Sequence, residues 1–474
     1  MNDEILSGIL IDHDASIKET MRRIDKNGLG IAFVIDENKK LIGVVTDGDI
    51  RRAILNGITV DEPVTKIMNN QPVTVKNELT EIKIKKLLSD ENIVRKIPIR
   101  GSLKIPILDD DGRVKNIAFL RENAYRSKVI YTHPIKEKSI NKILIVGGAG
   151  YLGSVLTRKL LDMDYKVRIL DSLVYGDIGV KEFYENEHFE LIKGDMRDIQ
   201  IVVEAIKGVD AVIHLAAIVG DPASALNPEE TIEINYLATK MLAEVCKYNQ
   251  INRFIFASTC SVYGASENPE EILDENSPLN PVSLYAQMKL KSEQGILELM
   301  DENFSPTIFR MATLYGPSPR MRFDLAVNLL TAKATVDREI TIFGGDQWRP
   351  FLHVEDAAEA YIKCLETPID KIRGKIFNVG STHQNYQINE IGEIIKTIIP
   401  EAEIVYNKKD TDKRNYRVSF RKIENELGYI TKYEVKDGVM QIHRDITNGK
   451  FGDYTDPKYS NYKFLKEQYL LAEE

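Results

Sequence analysis

The segment from Lys142 to Gly153 (KILIVGGAGYLG) places four apolar residues before regularly spaced glycines. Ile143 to Val146 predict a buried parallel strand, and Ser154 to Leu161 can form the helix that follows. Three glycines recur at three-residue intervals: Gly147, Gly150 and Gly153. In a strand–turn–helix unit such glycines allow a tight turn, close approach of the backbone to a pyrophosphate, and close packing of helix on strand. The segment therefore predicts a dinucleotide site at the N-terminal end of that helix.

An acidic residue at the end of the next strand indicates which dinucleotide is bound. Lys166 to Leu170 predict this second strand, and Asp171 follows it directly. A carboxylate there can accept hydrogen bonds from both hydroxyls of an adenosine ribose and repels a 2′-phosphate. The sequence therefore predicts NAD rather than NADP.

Tyr285 and Lys289, in the segment YAQMK, have the spacing of an acid–base pair. Residues at i and i+4 share one face of a helix, so the phenol and the ammonium project together. A neighbouring positive charge lowers the pKa of a tyrosine, which favours its use as a base near neutral pH. The pair follows a strand that ends in Ser258 and Thr259, a position where a nucleotide-binding fold carries functional residues.

The elements that position these residues are those of a doubly wound parallel sheet, because strands and helices alternate from Lys142 onward. We predict strands at Phe189 to Ile192, Ala211 to His214 and Phe254 to Ser258, with helices between them. Binding residues are expected where the strands end. These are Asp195 and Met196, placed for an adenine ring, and Leu215, Ala216 and Ala217, whose small size permits backbone approach. His214 itself is interpreted as structural.

Length, charge and cysteine content exclude several classes of protein. A chain of 474 residues is too long for a single hydrophobic core. The net charge of −9 argues against a dedicated binder of nucleic acid or of anionic membranes. The three cysteines predict neither a disulfide framework nor a zinc cluster, and we predict no metal site. The first ten residues lack an apolar signal core and no membrane-spanning run is present, so we expect a cytoplasmic protein.

The first 130 residues contain an internal repeat. Ile31 to Ile35 and Leu41 to Val45 predict a hairpin before a helix that begins at Asp49. Ile105 to Leu108 and Val114 to Leu120 repeat the pattern before a helix predicted from Arg121. An amphipathic helical stretch precedes each hairpin: Ile17 to Lys26 and Leu79 to Leu88. The two β-α-β-β-α units resemble a pair of CBS domains (a Bateman module), and LIGVVTDGDIRRAI is the most specific match.

The resemblance implies that Thr46 and Asp49 hold the ribose and phosphate of an adenine nucleotide such as AMP, ADP or ATP. A hydroxyl and a carboxylate at a helix N-terminus suit that role. The corresponding positions of the second copy are Asn116, Phe119 and Glu122, where the hydroxyl is missing. The alternative is that Thr46 or Asp49 caps the helix and the pair serves for dimerisation. Because CBS pairs usually associate with another pair, we expect a homodimer or a larger assembly.

Residues 142–450 resemble the extended short-chain dehydrogenase/reductases that act as NAD-dependent nucleotide-sugar epimerases and dehydratases. The matching segments are the glycine loop, the Asp195 segment, STCSVYG, YAQMK, RMATLYGP and GGDQWRPFLHVEDAA. The resemblance implies a catalytic triad of Thr259, Tyr285 and Lys289, with Tyr285 acting on a sugar hydroxyl, usually at C4. The cofactor-binding residues that it implies are Gly147, Gly150, Tyr151, Leu152, Gly153, Asp171, Asp195, Met196, Leu215, Ala216, Ala217, Tyr285 and Lys289.

The same resemblance implies a nucleotide-diphosphate sugar as substrate, bound by the C-terminal portion. Arg349 and Arg414 match the family's phosphate-contacting arginines, and guanidinium geometry suits phosphate. Asn328 and Phe343 are further candidates, and Asp356 is expected to organise the loop of Arg349. Two more arginines, Arg320 and Arg322 in PSPRMRFDL, either read the sugar or pair with acids.

Departures from the family patterns reduce the number of reactions that the resemblance allows. A 4,6-dehydratase has Asp-Glu directly after the catalytic threonine, where this chain has Cys260 and Ser261. The 3,5-epimerising relatives use a cysteine where Ser261 stands, so we expect Cys260 to be a packing residue. A C4 epimerase is the leading prediction. The alternatives are a net C4 dehydrogenase or reductase, for example on a GDP-heptose, and a sensor that binds NAD without turnover.

The sequence therefore predicts an α/β protein with no nucleic-acid partner. A CBS (Bateman) β-α-β-β-α pair occupies residues 1–127 and a linker residues 128–141. An NAD-binding Rossmann domain with a doubly wound parallel sheet and a small C-terminal substrate-binding subdomain occupies 142–450. Residues 451–474 form a C-terminal tail.

Overall fold

The computed structural model describes residues 8–27, 29–77, 83, 86–87, 89–94, 96, 102–122, 128–133, 140–265, 271–301, 304–407 and 414–473. Two compact units divide the chain, Met1–Lys138 and Ser139–Glu474. This boundary falls within the predicted linker. Within the described ranges, no helix has the length and apolar character needed to cross a bilayer.

The N-terminal unit contains two small sheets. Its strands are β1 (Leu10–Asp12), β2 (Ile31–Ile35), β3 (Leu41–Thr46), β4 (Val75–Lys76), β5 (Leu103–Leu108), β6 (Val114–Glu122) and β7 (Lys128–His133), and its helices are α1 (Ile17–Asn27), α2 (Asp47–Leu55) and α3 (Glu91–Val94). The strand orders are β1-β2-β3 and β4-β5-β6-β7. In each sheet the first pair is parallel and the later pairs are antiparallel. The repeat predicted from the sequence is thus visible as two similar sheets.

The second repeat departs from the prediction in one respect. Arg121 and Glu122 continue strand β6, so the helix expected to begin at Arg121 is wrong. Strand β7 then pairs antiparallel with β6, inside the segment interpreted as linker. The β-branched and aromatic residues of KVIYTH favour a strand, a signal that the missing periodicity of the longer segment obscured. The amphipathic stretch Leu79 to Leu88 lies mostly outside the described residues.

The second unit is built on a seven-stranded parallel sheet of order β10-β9-β8-β11-β12-β14-β18. Its strands are β8 (Lys142–Val146), β9 (Lys166–Asp171), β10 (Phe189–Lys193), β11 (Ala211–His214), β12 (Arg253–Thr259), β14 (Ser305–Met311) and β18 (Ile376–Val379). The strand order reverses between β8 and β11, which is where ligands bind in open α/β sheets. The predicted doubly wound Rossmann fold is confirmed.

Alternate residues of the central strands pack on opposite faces of the sheet. Ile143 and Ile145 belong to one apolar cluster, whereas Leu144 and Val146 belong to another. All four are buried, as expected for a parallel sheet covered by helices on both sides. The helices of the unit are α4 (Tyr151–Asp162), α5 (Ile199–Ala205), α6 (Asp221–Ser224), α7 (Pro228–Ile232), α8 (Thr239–Tyr248), α9 (Leu284–Leu297), α10 (Ala326–Val336), α11 (Val354–Glu366), α12 (Ile369–Ile372), α13 (Ile388–Ile398), α14 (Arg421–Leu427), α15 (Val435–Thr447) and α16 (Asn461–Glu473).

A smaller layer with three short sheets covers the carboxyl side of the large sheet. Its strands are β13 (Ile272–Leu273), β15 (Thr313–Tyr315), β16 (Glu339–Phe343), β17 (Trp348–His353), β19 (Asn385–Gln387), β20 (Glu403–Asn407) and β21 (Arg417–Val418). Helices α10, α13 and α15 share an apolar cluster with β16. This layer is the region where the sequence predicts the substrate-binding subdomain.

The last residues are packed rather than extended as a tail. Phe323 is surrounded by the rings of Phe451, Tyr454 and Tyr459, with centroids 5.2–6.1 Å away. Leu465, on α16, packs against Ile218 in a further apolar cluster. Residues 451–473, which belong to the predicted C-terminal tail, thus pack through their aromatic residues against the rest of the second unit.

Candidate cofactor and active site

A large cavity of about 710 Å³ opens at the carboxyl ends of the parallel strands. Nearly all site residues predicted in the second unit line it. They are Gly147, Gly150, Tyr151, Leu152, Gly153, Asp171, Asp195, Met196, Leu215, Ala216, Ala217, Thr259, Tyr285, Lys289, Phe343, Arg349 and Arg414. The fold thus brings together side chains that lie up to 267 positions apart in the sequence (147 to 414).

The glycine loop has the geometry that a dinucleotide requires. Gly147 has a φ of +83°, and a Cβ there would lie 2.5 Å from the backbone nitrogen of Ala216. A Cβ on Gly153 would lie 2.5 Å from the carbonyl oxygen of Gly148, so helix α4 packs directly on the turn. Gly150 is the N-cap of α4 and provides no side-chain cap, which leaves the first N–H groups of the helix for a ligand. The residues present therefore fit the pyrophosphate of NAD.

Asp171 lies at the end of β9, at the edge of the same cavity. Its carboxylate accepts hydrogen bonds from the N–H groups of Ala149 (3.0 Å) and Leu173 (2.8 Å). Burial raises the pKa of Asp171, and these two N–H groups act in the opposite direction by favouring the carboxylate. Asp195 is already paired with Arg197, whose Nη2 lies 2.7 Å away. It can still present an oxygen to an adenine amino group.

Tyr285 and Lys289 lie on the first turns of α9. Ser283 is the N-cap of this helix, with its hydroxyl accepting from Ala286 N. Lys289 is 2% exposed and its Nζ donates to the carbonyl oxygen of Ala257, 2.7 Å away. The Nζ atom is 6.0 Å from the ring centroid of Tyr285. The two side chains therefore face one space, but the ammonium is held by the strand rather than by the phenol.

The electrostatics of this pair differ from the prediction. Burial, followed by the carboxylate of Asp221, raises the pKa of Tyr285. Burial also lowers the pKa of Lys289 to about 7. The pKa of Tyr285 in the protein alone therefore departs from the expectation that Lys289 lowers it, because burial has the largest effect on this phenol.

Asp221 is a residue of the site that the sequence analysis missed. One of its oxygens accepts from Ser283 Oγ at 2.7 Å, and the other lies 3.3 Å from Arg414 Nη1. It thereby connects the loop after β11, the N-cap of helix α9 and the predicted phosphate site. Its position in VGDPAS, shortly after the end of β11, is the signal that could have identified it.

The arginines predicted to bind phosphate also line the cavity. Arg349 is 5% exposed, its Nη1 donates to Trp348 O at 2.7 Å, and its guanidinium faces the ring of Tyr416 at 5.4 Å. Asp356 accepts hydrogen bonds from Lys432 N and Tyr433 N, so it organises that segment rather than the loop of Arg349.

Asn328 does not reach the cavity. Its side chain is fully buried, accepts from Gly316 N, and donates to Tyr151 Oη and Arg322 O. All of these partners are within the protein. The structure therefore assigns Asn328 to holding the loop between β15 and α10, because helix α10 turns this residue inward.

The residues that follow Thr259 contain no acid–base pair. Cys260 is buried, its Sγ donates to Arg310 O, and burial raises the pKa of its thiol well above the usual range. The hydroxyl of Ser261 lies 3.4 Å from that of Tyr416. His214 is also buried, and its Nε2 lies 2.8 Å from Thr239 Oγ1, which agrees with a structural role.

In the first unit, Thr46 and Asp49 contact each other. Thr46 is the N-cap of α2, and the two residues form a capping box. The Asp49 carboxylate also binds Arg52 Nη2 at 2.6 Å. In this structure the two side chains therefore cap helix α2, as the alternative to nucleotide binding predicts.

Comparison with known proteins agrees with these features. The NAD dependent epimerase/dehydratase family model matches residues 143–380, and the CBS domain model matches residues 1–56, the first of the two repeats. A UDP-glucose 4-epimerase of Corynebacterium glutamicum is 28% identical over 62% of this chain and 91% of its own length. A dTDP-glucose 4,6-dehydratase of Streptomyces niveus is 25% identical over 63% of this chain and 91% of its own length.

A solved structure shows the same fold with ligands bound. It is the UDP-glucuronic acid 4-epimerase of Bacillus cereus in complex with UDP-glucuronic acid and NAD, 27% identical, with a TM-score of 0.58. The similarity covers 65% of this chain and 99% of that one. The family match spans 238 of the 474 residues (143 to 380), which is half of the chain. Together with its glycine loop and parallel sheet, this match shows that the chain belongs to the NAD dependent epimerase/dehydratase family and carries a CBS domain.

Proposed function

We propose that this protein is an NAD-dependent nucleotide-sugar 4-epimerase that uses Thr259, Tyr285 and Lys289. The observation that carries the proposal is that one cavity is lined by the glycine loop, by these three residues and by the arginines Arg349 and Arg414. The proposed dinucleotide site and the proposed phosphate site thus share one cavity with Tyr285. The epimerases among the relatives add support, although dehydratases and decarboxylases occur among them too.

Each catalytic residue has a chemical task in this proposal. NAD, when bound, would supply the oxidising power as the acceptor, and later the donor, of one hydride. Tyr285 accepts the proton of the C4 hydroxyl and gives it back, while Thr259 hydrogen-bonds the same oxygen. Lys289 binds the nicotinamide ribose. Asp171 and the first turn of α4 hold the adenosine half of the cofactor.

The reaction class follows from what the site lacks. A 4,6-dehydration needs a second acid and base to remove water, yet Cys260 and Ser261 stand after Thr259 and both are buried. The remaining chemistry is oxidation and reduction at one carbon. It gives an epimerase if the keto sugar rotates within the site and is reduced on its other face. A net C4 dehydrogenase uses the same residues and is the second candidate.

An anaerobic incubation of the full-length protein with UDP-, GDP-, dTDP- and CDP-hexoses and heptoses distinguishes these outcomes. The absorbance at 340 nm reports net NADH, and NMR identifies the product. An isomeric product without net absorbance change supports the epimerase, whereas stoichiometric NADH with a keto sugar supports the dehydrogenase. NAD binding without any product across the panel supports the non-catalytic sensor.

The proposal extends to the CBS domain as a regulatory site for an adenine nucleotide. Thr46 and Asp49 stand at the N-terminus of the nine-residue helix α2, where a phosphate is favoured by the helix dipole. A nucleotide there would displace part of the capping box and alter how two copies associate in a homodimer. Turnover and sedimentation of the full chain, measured with and without saturating AMP, ADP or ATP, test this. No change in either quantity and no nucleotide binding would refute it.

A further inference from the structure

Arg320 has an unusual environment in the cofactor cavity. Its side chain lines the cavity, the residue is 4% exposed, and its guanidinium stacks on the ring of Tyr175 at 4.3 Å. Its Nε and Nη2 atoms are buried and have no hydrogen-bond acceptor among the described residues. A buried, unsatisfied guanidinium is costly, so such a group is expected to meet an anion in the functional state.

The acids nearest to Arg320 are already occupied by other donors. Asp324 binds Arg322 through two hydrogen bonds of 2.8 and 3.1 Å. Asp171 accepts from two backbone N–H groups. Burial, followed by the positive charge of Arg322, lowers the pKa of Arg320 to about 10, so it remains a cation at neutral pH. Its charge is therefore available for a ligand.

The loop that carries Arg320 is fixed to the start of helix α4. Ser318 donates to Tyr151 O at 2.8 Å and lies 3.1 Å from the hydroxyl of Ser154. Tyr151 is the first residue of α4, whose uncapped N–H groups fit a pyrophosphate. The ring on which Arg320 stacks belongs to Tyr175, four residues after Asp171 at the end of β9. The loop of Arg320 thus contacts the proposed phosphate position, and the ring on which its guanidinium stacks belongs to the segment after the proposed ribose position.

Helix α16 contributes a second unsatisfied group to the same cavity. Asn461 is 4% exposed and lines the cavity, and its Oδ1 has no donor within the described part of the chain. Its backbone N–H is fixed by Asp324 at 2.8 Å. The helix is anchored further along by Phe464, 5.4 Å from the Tyr175 ring, and by Tyr469, whose hydroxyl donates to Glu230 at 2.6 Å.

We propose that Arg320 and Asn461 form a subsite for the diphosphate-ribose of the dinucleotide, in which Arg320 donates to diphosphate oxygens and Asn461 Oδ1 accepts from a ribose hydroxyl. Helix α16, which lies beyond the region matched by the family model, thereby retains the cofactor. This inference rests on the proposed function because it requires NAD to bind in this cavity. A diphosphate also occurs in the substrate, so the test must separate the two sources.

The test is isothermal titration of the full-length, nucleotide-free protein with NAD, ADP-ribose, UDP and GDP. For Arg320→Gln we expect the Kd of NAD and of ADP-ribose to rise about 10- to 100-fold, with UDP and GDP unchanged. For Asn461→Ala we expect a rise of about 3- to 10-fold for the same two ligands. Arg320→Lys keeps the charge and should recover part of the loss. Thermal melting without ligand verifies that the variants fold. If Arg320→Gln does not fold, Asn461→Ala still tests the subsite.

The possible results lead to distinct conclusions. Unchanged affinity for ADP-ribose in both variants overturns the subsite. A loss confined to UDP or GDP also overturns it, because Arg320 then serves the substrate. If the unaltered protein binds neither NAD nor ADP-ribose, the proposed function fails as well. A wild-type protein that binds NAD beside variants that bind it equally well refutes the subsite alone.

Discussion

Glu293 of helix α9 and Arg310 of strand β14 form a buried ion pair, with Arg310 Nη2 2.8 Å from Glu293 Oε2 and both side chains at most 3% exposed. Glu293 also accepts a hydrogen bond from the hydroxyl of Ser258, at the end of β12. It lies on α9 one turn after Lys289 and about two turns after Tyr285, on the same side of the helix. The pair therefore fixes helix α9, which carries two of the proposed catalytic residues, against the strands β12 and β14.

Replacing Glu293 by Gln should strongly destabilise the protein. The substitution leaves the Arg310 charge buried without its counter-ion, a change that costs about 3–5 kcal/mol in other proteins. The free energy of unfolding from urea titration measures the loss. Glu298→Gln, at an exposed position at the end of the same helix, is the matched control. Equal stability of the two variants would contradict the structural role assigned to the pair.

Tyr285→Phe should abolish most turnover and leave cofactor binding intact. Removing the phenolic hydroxyl removes the general base, which is worth roughly 10²- to 10⁴-fold in rate. Product formation followed by NMR and NAD affinity by titration calorimetry separate the two effects. Tyr248→Phe, at a tyrosine that is 58% exposed, should behave as the unaltered protein. Turnover retained in Tyr285→Phe would refute the base assignment.

The sequence was sufficient to predict the residues of the glycine loop and the acid after the second strand. It was not sufficient to predict contacts between residues that are distant in the chain. Gly147, Gly153 and Asp171 act through local geometry, so their spacing alone indicated the dinucleotide fold. The structure places Asn328 away from the cavity, contrary to its prediction as a substrate contact, because the direction of a side chain on α10 depends on packing. The raised pKa of Tyr285 was not predicted because its burial depends on residues far away in the chain. Asp221 and Glu293 were missed because their partners Arg414 and Arg310 become neighbours only after folding.

Lys289 should make the stability of the cofactor-free protein depend on pH. Burial lowers the pKa of Lys289 to about 7, whereas a lysine in an unfolded chain titrates near ~10.4. Between these two values the unfolded chain binds the proton and the folded protein does not, so the free energy of unfolding rises with pH. Below about pH 7 both states are protonated, and the cost of burying the charge is fully present.

The substitution Lys289→Met should remove this rise, which amounts to at most about 1.4 kcal/mol per pH unit. Urea unfolding at pH 6, 7, 8 and 9 measures the slope for each variant. Lys291→Met, an exposed position on the same helix, should retain the slope of the unaltered protein. The same slope in Lys289→Met would show that this lysine is charged in the folded state throughout the range.

Asp171→Ala should weaken NAD binding and reduce the preference for NAD over NADP. The carboxylate orders the glycine loop through Ala149 N and offers its remaining acceptor capacity to a ribose. Its loss should raise the Kd of NAD about 10-fold and remove the repulsion of a 2′-phosphate. Titrations with NAD and NADP give the ratio, with Asp162→Ala on the exposed side of α4 as control. An unchanged ratio would mean that another group sets the preference.

Arg414→Ala should raise the KM for the nucleotide sugar without altering NAD affinity. Arg414 lies 3.3 Å from Asp221, and Asp221 in turn binds the cap residue Ser283 of the catalytic helix. Loss of a charge-assisted phosphate contact corresponds to about 10-fold or more in KM, and Arg414→Lys should recover part of it. Initial rates at saturating NAD, combined with the Kd of NAD, separate substrate binding from cofactor binding. A parallel loss of NAD affinity would instead show that Arg414 acts through Asp221 on the whole site, since the carboxylate is then left without its cation beside Tyr285.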